Sequence, residues 1–328
     1  MFENQITSLT QKSMSDRLKD TAFLLKNSFS LVRQNTGIAR PAVHLSILSV
    51  VMSTLFVGAL VTFFLGTHIK WGIIALLVLV LILFPLRFPY RTFQFAIQSW
   101  MTYKAVTGAS VTYSEARRHT GANVPQLSFI AFVDLIMAYV GSQRGQDQGI
   151  QGFFVNLFLS ALVEIWDLLS HYMIPAVVIE QRPLKQLVPD IKSLQSNVPA
   201  ALMGVFGIDF AGNVVRTLLF PAYLLVIGAS VGLSYLLGSS LPRTSFLING
   251  HLYCWVPVLL ALYFLLVSGG ILKATLASVK TIYFTIFYTS IAHPDEIAPA
   301  LRAELTHYLL MEPAPASAPE VPGSPSPA

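Results

Sequence analysis

The stretch from Gln151 to Glu180, QGFFVNLFLSALVEIWDLLSHYMIPAVVIE, constrains this chain more than any other. It is long enough to cross a bilayer, which takes about 20 apolar residues as a helix. Yet it carries Glu164, Asp167 and His171 in its middle. At about 100° per residue, Asn156, Ser160, Glu164, Asp167 and His171 fall within an arc of about 80°. Phe, Leu, Val, Ile, Ala and Trp make up most of the remaining surface. An ionisable group at the centre of a spanning helix costs about 2.5–3.5 kcal/mol on insertion scales. The stripe therefore points into the protein, toward partners or water. The whole chain is 54% hydrophobic and 11% charged, against about 25% charged for a soluble domain, so the bilayer is its main solvent.

Six segments have the length and apolarity of spans: Val43–Leu65, Trp71–Leu86, Pro125–Tyr139, Gln151–Glu180, Thr217–Gly238 and His251–Leu272. Asp134 sits midway in the third. Pro85 and Pro89 are expected to break the second helix at the interface, where Arg87, Phe88, Tyr90 and Arg91 form an aromatic and basic belt. Residues 92–124 read as a connector with a helix to about Val106, a turn at Gly108 and a short helix from Ser114. Ala200–Val215 reads as an interfacial or re-entrant helix, separate from the fifth span. It carries Asp209, Asn213 and Arg216 at i, i+4 and i+7, placed to line a vestibule or to meet solvent. Gly228 and Gly232 in the fifth span form a GxxxG pair. The sixth span is expected to run on as an aromatic-rich helix through Ile291, with Lys273 snorkelling near its end.

Two segments have the pattern of amphipathic surface helices. From Ser15 to Asn35, Leu18, Leu25, Phe29 and Val32 share one face with Ala22. Leu184, Leu187, Ile191 and Leu194 recur at helical spacing around an interruption at Pro189. The first 40 residues lack the apolar core of a signal peptide. Residues 312–328 are rich in Pro, Ala and Ser and read as a disordered tail. Three units follow: residues 1–42 with the amphipathic helix, a membrane domain over 43–291, and a C-terminal segment over 292–328.

Charge sets the orientation. Of the 21 Lys and Arg residues, all but Lys70, Arg144 and Arg243 lie in the termini, the even-numbered connectors or their flanks. The positive-inside rule then places both termini in the cytoplasm of a cytoplasmic (inner) membrane protein.

The stripe of the fourth span has three readings. It is a structural network tying helices together, with its acids protonated or paired to Arg216. It relays protons or ions. Or it holds a metal, with Asp134 supplying a further ligand, although Glu-x-x-Asp-x-x-x-His is not a metal signature. The lone Cys254 excludes an intrachain disulfide and a cysteine-rich metal site. No GxSxG, HExxH, Walker loop or GxGxxG is present. No cofactor is implied, and nucleic acid is not an expected partner.

The segment HYMIPAVVIEQRPLKQLVPDIKSLQSNVPAALMGVFGI resembles a family of uncharacterised six-span prokaryotic membrane proteins, distantly similar to the membrane domains attached to glycerophosphodiester phosphodiesterases. The shared pattern is a span ending in Pro175 and Glu180, an amphipathic helix with Lys192 and Ser193, then Asn197 and a glycine-containing helix. TIFYTSIA, residues 285–292, resembles the segment closing that family. Pro189 and Pro199 depart from its cleanly helical pattern. The resemblance implies a fold and no catalytic residue.

The chain is thus expected to be an all-α, polytopic membrane protein with cytoplasmic amphipathic connectors. The leading function is non-enzymatic: organising a membrane assembly, or binding lipid, a protein partner or a second copy of itself. A small transporter coupled through the stripe is the alternative, and a membrane-embedded enzyme acting on lipid comes third.

Overall fold

The structure, a computed structural model, describes residues 32–33, 35–65, 69–142, 150–184, 186, 198–241, 244–248, 250–299 and 301–302. Most of the first amphipathic helix, residues 187–197 of the second, the loop over 143–149 and the C-terminal tail lie outside these. So do the side chains of 150–154 and 198–211.

The protein is an all-α polytopic membrane protein. Six of the described helices are long and apolar enough to cross a bilayer. A 3-10 turn at Thr36–Ala39 leads into α1 (Arg40–Leu65); α2 runs over Ile69–Val106, α4 over Val124–Ser142 and α5 over Ile150–Glu180. Between α2 and α4 lies the short α3 (Tyr113–Gly121). The chain then forms α6 (Val198–Gly238), a hairpin of β1 (Ser245–Ile248) and β2 (His251–Cys254), and α7 (Trp255–Ala292). Helix α7 packs on α1, α2, α5 and α6, while α2 packs on α1, α3, α4, α5 and α7. These two helices are the axis of the bundle.

Pro85 and Pro89 do not break the second helix. A π turn at Leu79–Leu83 precedes them, with the Phe84 N–H donating to Leu79 O. Widening the helix there accommodates a proline ring that would otherwise strike the carbonyl one turn back. The helix ends instead at Val106 in a Schellman motif: Gly108 takes φ +80°, and the Ala109 N–H donates to Lys104 O at 2.8 Å. Thr112 and Glu115 then form a capping box that starts α3. The connector expected from sequence is thereby present.

Two expectations are corrected. The interfacial helix and the fifth span are one continuous helix, α6, of 41 residues, with Pro221 inside it. Gly212 and Asn213 stand near the junction, but the helix runs through them without a turn. Also, the sixth span starts at Trp255, because residues 251–254 pair with 245–248 as an antiparallel hairpin. The strands are joined at Gly250, which takes φ +81°. The hairpin closes on the end of α6, where the Ser234 hydroxyl donates to Cys254 O at 2.6 Å.

The buried core is concentrated at one end of the bundle, here termed the basic end because Arg87, Arg91 and the α3 cations lie there. One cluster gathers Ile97, Met101, Tyr172, Ile282, Phe284 and Ile286; another gathers Phe95, Ile130, Ile174, Val177 and Tyr288. The opposite halves of the helices expose large apolar side chains such as Leu81, Phe132, Phe158, Leu225 and Leu260. Lipid tails are the natural solvent for that surface. Gly228 and Gly232 are part of it: a Cβ at either would meet nothing.

Candidate functional site

Between α1, α2, α5, α6 and α7 lies a partly open cavity of about 620 Å³. Helical spacing explains its wall. Arg87, Arg91 and Phe95 follow one another at i, i+4 and i+8 on one face of α2, and Asp167 and His171 at i and i+4 on α5. Lys273 and Lys280, two turns apart on α7, complete that side, and Arg216 comes from α6. The cavity lining also includes apolar side chains, Leu48, Met52 and Phe56 of α1 and Leu265 and Leu266 of α7. Helices α1 and α7 approach so closely here that a Cβ on Gly270 would lie 1.7 Å from Ser49 Oγ.

The charges are lopsided. Three guanidinium and two ammonium groups line the cavity with one carboxylate, Asp167. Lys280 Nζ stands 3.5 Å from Asp167 Oδ2, and its side chain is 13% exposed. Arg91 lies 5.1 Å from the centre of the Phe95 ring, a cation–π distance. The His171 Nδ1–H donates to Asp167 O at 2.6 Å. That bond fixes the proton on Nδ1, and Nε2 has no hydrogen-bond partner among the described residues. The ring is held between Phe95 and Phe284.

The structure divides the residues singled out in the sequence. Asp167, His171 and Arg216 come together on this wall. Glu164 does not: it is exposed, a correction to its inward placement. It lies at the edge of the stripe's arc, on the half of α5 where Val155, Leu157, Phe158 and Ile165 are also exposed. Asn156 and Ser160 are half-buried on that same half and are not part of the wall. Asp134 is not among the residues lining the cavity and accepts from Trp166 Nε1 at 2.6 Å. Asn213 is exposed, and the side chain of Asp209 lies outside the described residues. The partner of Asp167 is Lys280, not Arg216. Among the described residues no three His, Cys, Asp or Glu side chains gather as a metal site.

Sequence reasoning missed how the cations combine. Arg87 and Arg91 read as a belt, Lys273 as a snorkelling side chain, and Lys280 as one residue of an aromatic helix. The available signal was the spacing of Arg87 and Arg91 at i, i+4 and of Lys273 and Lys280 at i, i+7, which gives each pair one face.

A second polar cluster lies nearby at the basic end. Glu180 Oε1 accepts from Tyr288 OH at 2.9 Å and pairs with His293 Nε2 at 2.7 Å, while His293 Nδ1 meets Glu296 Oε1 at 3.1 Å. The Tyr103 hydroxyl donates to the other Glu296 oxygen. That hydroxyl, followed by His293, holds the Glu296 carboxyl below the usual carboxylate range. The cluster fastens the segment after α7 to the ends of α2 and α5.

No protein-family model, curated protein or solved structure matches the chain.

Proposed function

We propose that this is a non-enzymatic multi-pass protein of the cytoplasmic membrane, with both termini inside, whose bundle binds the anionic headgroup of a membrane lipid. One observation carries the reading: five cationic side chains line a single cavity that holds one carboxylate. A simple interfacial belt would spread such residues around the outside of the bundle. Here they come from α2, α6 and α7 to line one cavity. The distribution of Lys and Arg along the chain puts the basic end at the cytoplasmic leaflet, where anionic lipids supply the matching charge. The apolar wall of Leu48, Met52, Phe56, Leu265 and Leu266 offers an acyl chain a surface continuous with the headgroup site.

A second reading, transport of a soluble anion, is favoured by one feature. Asp167, His171 and Lys280 place titratable groups together on the wall. Uptake of an anion into proteoliposomes with a proton dependence would favour that reading.

The lipid reading is tested by the lipid that stays with the protein through purification. Arg91→Gln combined with Lys280→Gln is expected to lower retained anionic lipid by about tenfold or more, at about 1.5–3 kcal/mol for a hydrogen bond to a charged group. Zwitterionic lipid should be unaffected. Arg118→Gln, on α3 outside the cavity, is the control. An equal loss from that control would mean general surface attraction and would refute the proposal.

A further inference from the structure

We infer that the bound headgroup presents a terminal phosphate, a phosphomonoester or diphosphate carrying at least two negative charges, rather than a phosphodiester. This rests on the anionic-lipid reading above and names the ligand within it.

The argument is charge balance and geometry. Asp167 answers one of the five cations, Lys280, at 3.5 Å. Among the described residues Arg87, Arg91, Arg216 and Lys273 take part in no ion pair. Four cations lining one cavity, beside apolar side chains, repel one another more strongly than they would in water. A phosphodiester brings one negative charge and leaves most of that surplus. A terminal phosphate brings close to two, with three strong acceptor oxygens, and a diphosphate more. Three of the five cations are arginines, and the planar guanidinium fork matches phosphate oxygens two at a time. A terminal phosphate has enough free oxygens to meet several forks at once, whereas a diester has two. The apolar wall beside the cations gives the attached chain its place. A free phosphate ester has no use for that wall.

The test uses the full-length protein in nanodiscs of phosphatidylcholine. These are doped equally with phosphatidic acid, a monoester, or phosphatidylglycerol, a diester, with identical acyl chains. Lipid remaining on the protein after release from the disc is counted by native mass spectrometry. The monoester lipid is expected to be retained at least tenfold more than the diester. Equal or greater retention of the diester would overturn this inference and leave the anionic-lipid reading standing. Retention of neither above the phosphatidylcholine background would overturn both. A further arm adds soluble glycerol 3-phosphate. No displacement of the bound lipid at equal concentration is expected, and full displacement would overturn the lipid as the source of the phosphate.

Discussion

At His119, hydrogen bonds fix a tautomer, while burial and a nearby lysine disfavour a charge. Its Nε2–H donates to Val178 O at 3.0 Å, and Gln181 Nε2 donates to its Nδ1 at 3.1 Å. The ring stacks on Trp100 with centroids 3.5 Å apart, and Lys104 lies 4.7 Å from the same indole. Burial pushes the imidazole down from its ordinary value, Lys104 adds to this, and the Val178 carbonyl opposes it. A lowered folded value means the unfolded chain takes the proton first. The neutral ring therefore gives its full stability above the unfolded value of about 6.5, and that stability falls as pH drops from there toward the folded value. Thermal unfolding in nanodiscs should show a midpoint that declines between about pH 7 and about pH 5. His119→Asn should flatten the decline, and an unchanged slope would show that another group is responsible. Glu296 acts in a separate window. Its carboxyl is depressed, so its contribution is lost only below about pH 4.3. Single residues were legible in the sequence to different degrees. Asp167 and His171 were visible because the arc of one helix placed them together. Glu164 lay on the margin of that arc, where a small rotation of the helix decides between cavity and lipid.

Among the elements, α1 and α7 are joined most tightly where Gly270 faces Ser49. A Cβ on Gly270 would also fall 2.8 Å from Ser49 Cβ, so rotating the serine hydroxyl away does not relieve the clash. Gly270→Ala should destabilise the fold by about 1–3 kcal/mol through overpacking. Adding Ser49→Gly should recover a large part of the loss. Gly228→Ala should cost within about 0.5 kcal/mol, because its side chain would enter open space. Equal sensitivity at both sites would contradict the packing described, and thermal unfolding of the three variants checks it. The spans were legible because about 20 apolar residues have few other fates. Helix continuity was not. A proline in a helix is a break only where the backbone cannot adjust, and the π turn before Pro85 supplies that adjustment. The hairpin was locally marked by Asn249-Gly250 between two short apolar runs, and it was hidden by lying beside a spanning segment.

For the whole molecule, orientation and site are linked. Reporter fusions after Thr107 and Gln186 should report the cytoplasm, and fusions after Gly145 and Ser245 the outside. Reversal of all four would move the basic cavity to the other leaflet and remove the match with anionic inner-leaflet lipid. Arg87, Arg91, Arg216, Lys273 and Lys280 could not be read as one site beforehand, because spacing pairs them only within a helix and their meeting depends on how three helices pack. The most direct measurement of the central claim is where an anionic lipid sits. A photoreactive group placed near the headgroup of such a lipid, activated in nanodiscs of the full-length protein, marks the residues it touches. The expected marks are on Phe95, His171 and Ala277, beside the cations inside the cavity. Marks confined to Phe158, Leu218 and Leu225, on the lipid-facing exterior, would contradict the account.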